Sequence, residues 1–267
     1  MTPSVSFITT VRIGDETRRR NVEAVLAWYR RMAGWEMVVI EQDEVPQLDG
    51  DGWAPEIRRV FVRNAGPFNK NWGYNVGVHV ARSDVLFFCD ADLLLELSVL
   101  STAASLCARR AMSVNPYDRI ADLDQTESTA IVSAGVEPGF ERPQASAARA
   151  GRERLCFCGG AFFMRRALHH LMGGFDERFL GWGAEDDANS VRMERVAGTS
   201  ALAALENRCA LHLWHARDEL STFGNPHYPD NLRCLNWTAQ AGDAELRFLC
   251  DVQRQIMGNP GKYEGVV

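Results

Sequence analysis

The chain reads as an α/β protein: one Rossmann-like domain with a mixed, mostly parallel sheet flanked by helices. Three observations predict this. Short runs rich in β-branched and aromatic residues alternate with longer stretches of helical spacing, the pattern of strands joined by crossover helices. Val85-Leu86-Phe87-Phe88-Cys89 is apolar without interruption, as a strand buried on both faces must be. Two carboxylates, Asp90 and Asp92, follow that strand directly, and open α/β sheets bind ligands at the carboxyl ends of their strands.

In order, Val5–Val11 is the first strand. Arg18–Met32 places Val22, Val25, Leu26 and Tyr29 on one face and arginines on the other, which predicts a helix. Glu36–Glu41 is a second strand ending in Glu41-Gln42-Asp43. A loop rich in Asp, Gly and Pro follows, then a short strand around Arg59–Arg63. Asn71–Ala81 is helical and leads through Ser83-Asp84 into the central strand. Ser98–Arg109 is another helix and Ala111–Val114 another short strand. Asp118–Arg154 loses periodicity and is rich in polar and small residues. So long a structureless segment in a compact domain is usually functional or disordered, and a mobile loop or an acceptor-side insertion is expected there. Order returns at Leu155–Met164, a strand containing Gly159-Gly160, where missing side chains mark close approach of a ligand or backbone. Arg166–Met172 and Glu185–Val196 read as helices, Ala210–His215 as a last strand or strand end, and Asn231–Met257 as mostly helical. There is no internal repeat.

The 267 residues are 46% hydrophobic and 24% charged, ordinary for a globular chain, and the formal charge of −6 argues against a nucleic-acid groove. Seven cysteines without a CxxC pair suggest reduced thiols rather than a disulfide frame or a zinc site. Cys156 and Cys158 are explained by alternation on a strand. No apolar run is long enough to span a bilayer, and Met1-Thr2-Pro3-Ser4 does not begin a signal peptide. A cytoplasmic location is expected.

Three features carry chemistry. Asp90-Ala91-Asp92 sets two carboxylates beside much apolar side chain, where they need a compensating cation; a divalent metal carrying a diphosphate supplies one. An isolated Asp-x-Asp is common, however, and more often caps a helix or faces water. Glu185-Asp186-Asp187 opens a helix, where the dipole alone favours carboxylates. It does not explain the preceding Gly181-Trp182-Gly183, in which two glycines suggest a hinge presenting an indole face to a ligand. His212 and His215 follow a strand; a lone histidine is more often structural, and a pair three apart is modestly suggestive of a metal.

Taken in order, these residues resemble the β-1,4-galactosyltransferase type of glycosyltransferase, a GT-A fold in glycosyltransferase family 7, with related family 2 and polypeptide GalNAc-transferase-like proteins. The resemblance runs from Val5 to about Asn231. It is densest from Phe157-Cys158-Gly159-Gly160-Ala161 through Gly173-Gly174-Phe175-Asp176-Glu177-Arg178-Phe179-Leu180-Gly181-Trp182-Gly183-Ala184-Glu185-Asp186-Asp187. Phe68-Asn69-Lys70 with Asn75-Val76-Gly77 looks like the family's segment before the Asp-x-Asp strand. His212-Leu213-Trp214-His215-Ala216-Arg217-Asp218 looks like its C-terminal metal segment.

The resemblance implies that Asp92 binds the metal, with Asp90 near the ribose or the metal shell. His215 is a second ligand, and His212 stands where the family places a third. A methionine fills that place in the family, so the imidazole broadens the choice from Mn²⁺ towards Mg²⁺ or Co²⁺. Arg12, Phe68 and Lys70 match positions lining the nucleotide pocket, and Thr10, Ala91 and Gly160 complete the expected lining. Glu41 and Asp43, by strand-end position, meet the uracil or ribose. Trp182 matches a mobile-loop tryptophan that closes over the donor. Phe157 stands where galactose-using members carry tyrosine, which opens the identity of the donor sugar. Residues 1–115 form the nucleotide-sugar half, 116–154 a mobile or acceptor-side loop, and 155–267 the acceptor and catalytic half.

The chemistry expected is metal-dependent transfer of a hexose or N-acetylhexosamine from a UDP-sugar to an acceptor hydroxyl. A cation neutralises the departing diphosphate, Asp186 takes the hydroxyl proton and Glu185 binds sugar hydroxyls. Single displacement inverts the anomeric centre. A retaining GalNAc-transferase-like enzyme and a catalytically silent nucleotide-sugar-binding module are the alternatives. No Gly-rich, lysine-bearing triphosphate loop supports a sugar nucleotidyltransferase. The acceptor is open among a glycan, a lipid-linked intermediate, a peptide and a small molecule.

Overall fold

The structure, a computed structural model, describes residues 3–48, 54–135, 137–141, 157–217 and 223–264. The chain begins β1 (Val5–Val11), α1 (Glu16–Tyr29), β2 (Glu36–Asp43), β3 (Ile57–Arg63), α2 (Lys70–Val80) and β4 (Val85–Cys89). It continues β5 (Leu93–Leu94), α3 (Leu97–Arg109), β6 (Ser113–Asn115), β7 (Arg119–Asp122), α4 (Gln125–Ala134), β8 (Ala161–Arg165) and α5 (Arg166–Leu171). The last elements are α6 (Glu185–Ala197), β9 (Leu202–Ala204), β10 (Cys209–His212), α7 (Tyr228–Gln240) and α8 (Asp243–Ile256).

Seven strands form the main sheet in the order β3-β2-β1-β4-β8-β6-β9. The pairs from β3 to β4 are parallel, β8 runs antiparallel to both β4 and β6, and β6 pairs parallel with β9. The sheet is therefore mixed and mostly parallel, with helices on both faces.

The period of two along β4 shows how this sheet is buried. Phe87 points into one layer with Phe7, Tyr29 and Trp35, and stacks on its register partner Phe163 at 4.4 Å. Phe88 points into the other, against Tyr74 and Phe175, and stacks on its partner Phe162 at 5.1 Å. Each such side chain contributes roughly 1.5–3 kcal/mol by leaving water.

α2 lies unusually close to the sheet because it carries Gly73 where a side chain would not fit. A Cβ there would stand 2.0 Å from Thr10 Oγ1 and 2.4 Å from Gln42 Nε2. Asn69 caps the helix by accepting from the Trp72 amide at 2.9 Å. The close seat and the cap together bring Lys70, the first helical residue, to the carboxyl ends of β1 and β4.

Three short strands form a second sheet in the order β5-β10-β7, which periodicity does not announce. Its strand β7 and the helix α4 fall within 118–154, so that segment is not structureless over its described part. α4 begins with a capping box, Asp124 accepting from the Glu127 amide while the Glu127 carboxylate accepts from the Asp124 amide. It buries only Ser128 fully, hence its weak hydrophobic pattern. Val136 and residues 142–154 of the expected loop, with Leu155, Cys156 and Asp218, lie outside the described residues. Gly159 and Gly160 precede β8 instead of interrupting it, and Gly160 O accepts from the Asp90 amide at 2.7 Å.

Candidate active site

The second sheet assembles the first half of the site. β5 begins one residue after Asp92 and pairs antiparallel with β10, setting Leu93 opposite His212. The Leu213 amide donates to Asp92 O at 2.8 Å. On the other side of β10, β7 runs parallel and sets Asp122 opposite His212. Beyond the strand, the Trp214 amide donates to Ser128 Oγ at 2.8 Å and its carbonyl accepts from Asn21 Nδ2 at 3.1 Å. Two buried side chains thus fix the short segment between His212 and His215.

His215 Nε2 lies 3.2 Å from Asp92 Oδ2 and His212 Nε2 lies 3.7 Å from Asp92 Oδ1. One donor atom from each of the three residues falls within 4.8 Å of the others. The outer nitrogens are also engaged: His215 Nδ1 faces Ala216 O at 2.9 Å, and His212 Nδ1 faces Asp122 Oδ1 at 3.3 Å. Hydrogen on each Nδ1 leaves Nε2 as the inward-facing nitrogen, where a bound cation would take the place of the proton shared with Asp92. Two imidazoles and a carboxylate so oriented fit a divalent transition metal. Burial would raise the Asp92 carboxyl, but His212 and His215 outweigh it and hold the group below the usual carboxylate range. The hydrogen bond to Asp92 raises His215 in turn. The cleft beside these residues is lined by Asp122, Leu123, Trp214, Ala216 and Arg217.

The second half is a carboxylate cluster held by one ammonium. Lys70 Nζ lies 3.1 Å from Asp90 Oδ1 and 3.2 Å from Asp186 Oδ1, bridging the end of β4 to the start of α6. Tyr74 donates to Asp90 Oδ1 at 3.1 Å. Burial pushes the Asp186 carboxyl up to about 8; Glu185 and Asp90 add to the rise, and Lys70 opposes it. Glu185 is raised as well, chiefly by burial. Burial disfavours the Lys70 charge, yet Asp186 and Asp90 outweigh it and carry the ammonium well above its ordinary value. A carboxyl that titrates near neutrality beside a fixed cation is suited to exchanging a proton.

The turn before α6 is built against α7. Gly181 and Gly183 have φ of 64° and 110°, and Cβ atoms there would meet the Asn225 amide group at 2.8 Å and the Tyr228 ring at 2.7 Å. Trp182 is 38% exposed, stacks on Tyr228 at 5.9 Å and meets Phe223 edge-on at 5.2 Å. The Gly183 amide donates to Glu185 Oε2 at 2.9 Å, and the Gly181 amide donates to Phe68 O at 2.8 Å, joining this turn to the loop before α2.

The remaining expected residues divide by what already occupies them. Arg12 spends its guanidinium on the carbonyls of Gln42, Asn64 and Gly66 and lies 5.9 Å from the Phe68 ring, so it shapes the Phe68 loop. Thr10 Oγ1 accepts from Gln42 Nε2 at 2.8 Å. Glu41 is a correction to the strand-end reading: it is wholly buried, ion-paired to Arg59 at 3.0 Å, and accepts from the amides of Gln47 and Leu48. Its carboxylate holds the following loop from inside the protein, with no exposed surface to offer a uracil or ribose. Asp43 stays at the rim and accepts from the Glu44 amide. Ala91 is partly buried against the core, and Phe157 is buried. The sequence reading missed Asp122, Asn225 and Asn231. Only Asp122 had a signal, as an acidic residue ending a short apolar run.

A family model described as the N-terminal domain of galactosyltransferase matches residues 149–212. No curated protein matches the chain. Among solved structures, Staphylococcus aureus TarS (residues 1–349, with UDP-GlcNAc) superposes with a TM-score of 0.59 at 12% identity, covering 97% of this chain and 72% of that one. The catalytic domain of Drosophila β1,4-galactosyltransferase 7 with xylobiose gives 0.44 at 18% identity, covering 80% and 71%. A point mutant of the same enzyme with manganese, UDP-Gal and xylobiose gives 0.47 at 17%, covering 80% and 72%. The fold is GT-A. The resemblance to the galactosyltransferase family model is confined to residues 149–212, a minor part of the chain. No helix among the described residues is long and apolar enough to cross a membrane.

Proposed function

We propose that the chain is an inverting, metal-dependent glycosyltransferase moving a hexose or N-acetylhexosamine from a UDP-sugar to an acceptor hydroxyl. One observation carries this reading. A three-residue donor set with both outer imidazole nitrogens engaged stands at one end of the Asp90–Asp92 segment, and a proton-exchanging carboxyl stands at the other, bridged by Lys70. The TarS structure, which shares the fold, is a complex with UDP-GlcNAc, so a nucleotide-sugar donor is consistent with the architecture.

Asp92, His212 and His215 would hold the cation, Mn²⁺ in the first instance and Mg²⁺ or Co²⁺ as substitutes. When bound, it supplies positive charge to the departing diphosphate. In the step proposed, the acceptor oxygen attacks C1 of the donor sugar from the face opposite the diphosphate. Asp186 takes the hydroxyl proton as that bond forms, and the bond from C1 to the diphosphate oxygen breaks with its electron pair. Lys70 favours the ionised form of Asp186, and Glu185, fixed by the Gly183 amide, receives sugar hydroxyls. Phe68 and Asp43 border the nucleotide side, with Ala91 and Gly160 beside the sugar.

The test is a thermal-shift panel of UDP-, GDP-, CMP- and dTDP-sugars, each with Mn²⁺, with Mg²⁺ and with EDTA. A metal-dependent rise for UDP-sugars is expected. A rise confined to another nucleotide overturns the UDP donor, and no response to any overturns nucleotide-sugar transfer. NMR of the product's anomeric centre then separates inversion from retention.

A further inference from the structure

We infer that Asn225 and Asn231 are positioning residues, a two-asparagine latch that sets the Gly181–Gly183 turn before any donor arrives. Asn225 Nδ2 donates to Leu180 O at 2.9 Å and to Trp182 O at 2.7 Å. Asn231 Nδ2 donates to Leu180 O and Gly183 O, each at 3.0 Å, and its Oδ1 accepts from the Leu180 amide at 3.2 Å. The turn's exposed indole would otherwise leave these backbone groups to water; here two side chains 4% and 0% exposed take them. The fit is reciprocal. Gly181 is required because the Asn225 amide group lies where its Cβ would be, and Gly183 because the Tyr228 ring does.

What the latch fixes is the approach to the carboxylates. Gly183, held through its carbonyl by Asn231, gives its amide to Glu185, and Asp186 follows on the first turn of α6. The same hydrogen bonds hold the Trp182 backbone, so the indole stands as a preset face stacked on Tyr228 rather than on a free flap. The latch stands on these contacts alone; its effect on turnover rests on the function proposed above.

Asn225→Asp isolates the latch. The variant keeps the oxygen that accepts from the His227 amide at the start of α7 and loses both donations to the turn. Asn231→Asp likewise keeps acceptance from the Leu180 amide and loses the donations to two carbonyls. Amide hydrogen exchange reads the turn directly. In the wild-type chain the Gly181 and Gly183 amides are expected to be protected without ligand and to change less than about twofold on adding Mn²⁺ and UDP. Asn225→Asp should speed their exchange about tenfold or more while leaving α7 protected. With the UDP-sugar giving the largest thermal shift, kcat should fall about tenfold while the Kd for UDP with Mn²⁺ moves less than about twofold. Wild-type amides that become protected only with Mn²⁺ and UDP, or unchanged exchange in both variants, overturn the latch. The expected exchange pattern in a chain that neither binds nor turns over a UDP-sugar sinks the proposed function and leaves the latch standing.

Discussion

Replacing Asp186 with asparagine tests the carboxylate cluster through stability as well as through rate. Asp186 sits with Glu185 and Asp90 around a single ammonium, and its carboxyl is pushed from an ordinary 3.8 up to about 8. The folded chain therefore holds a proton that the unfolded chain has released. Stability associated with the neutral form is full below about pH 4 and is lost as pH rises through about 8. At about 1.4 kcal/mol per pH unit, the interval bounds the loss at about 6 kcal/mol. With the side chain 27% exposed, solvent screening reduces the expected figure to about 2 kcal/mol. The amide of Asp186→Asn would mimic the neutral form at every pH. The variant should match wild type in melting temperature near pH 4 and exceed it by about 4 °C near pH 9, because about 1 kcal/mol moves a chain of this size by roughly 2 °C. Transfer should fall by a factor of about 10²–10⁴, the range for loss of a general base, with UDP and Mn²⁺ binding retained. Differential scanning fluorimetry across pH, with UDP-release kinetics, measures both. An unchanged difference in melting temperature from pH 4 to 9 would refute the electrostatic reasoning, and near wild-type turnover would refute the role of base.

Three further outcomes follow from the same geometry. His215→Ala removes one of three donor groups and should weaken Mn²⁺-dependent UDP binding by about tenfold or more in calorimetry; unchanged binding takes His215 out of the metal set. Asp122→Asn weakens the acceptor behind His212 Nδ1 and should lower Mn²⁺ affinity by about 10–100-fold without altering UDP binding in EDTA. Arg59→Met leaves the buried Glu41 without its cation and should cost about 3 kcal/mol in urea denaturation. A loss below about 1 kcal/mol there would mean that the amides of Gln47 and Leu48 suffice to hold the carboxylate.

The main sheet was legible because its strands obey simple rules. β1 is buried at every position, β4 is apolar throughout, and each alternates its side chains between two helical layers. Periodicity places the starts of α1 and α2 slightly late, because capping rather than burial sets them: Asp15 starts α1 and Asn69 starts α2, each by accepting a backbone amide. The second sheet was not legible. β5 is two residues long and β7 four, too short for any period, and α4 shows its start only through the Asp124–Glu127 capping box. β7 and α4 lie in a stretch whose composition reads as loop, and β5 is cut short after Asp92, so the pairing of β5 and β7 with β10 is visible only in three dimensions.

That asymmetry bears on the site itself. The residues that resemblance points to, Asp92, His212, His215, Lys70 and Asp186, sit at strand and helix ends in the well-patterned part of the chain. The groups that orient them come from elsewhere: Asp122 behind His212, Ser128 and Asn21 on Trp214, and Asn225 and Asn231 on the turn before Glu185. Glu41 shows the opposite error. An acidic residue at a strand's carboxyl end looks like a ligand contact until its complete burial, its ion pair with Arg59 and the two amides on one oxygen place it inside the protein. A polar side chain at a sheet end can serve substrate or backbone, and only its remaining hydrogen-bonding capacity decides between them. By that measure Lys70 is the most informative residue in the cleft. Its ammonium has three donors and bridges two carboxylates from different elements, so a dianionic diphosphate arriving beside Asp90 would compete directly for the charge that favours ionised Asp186.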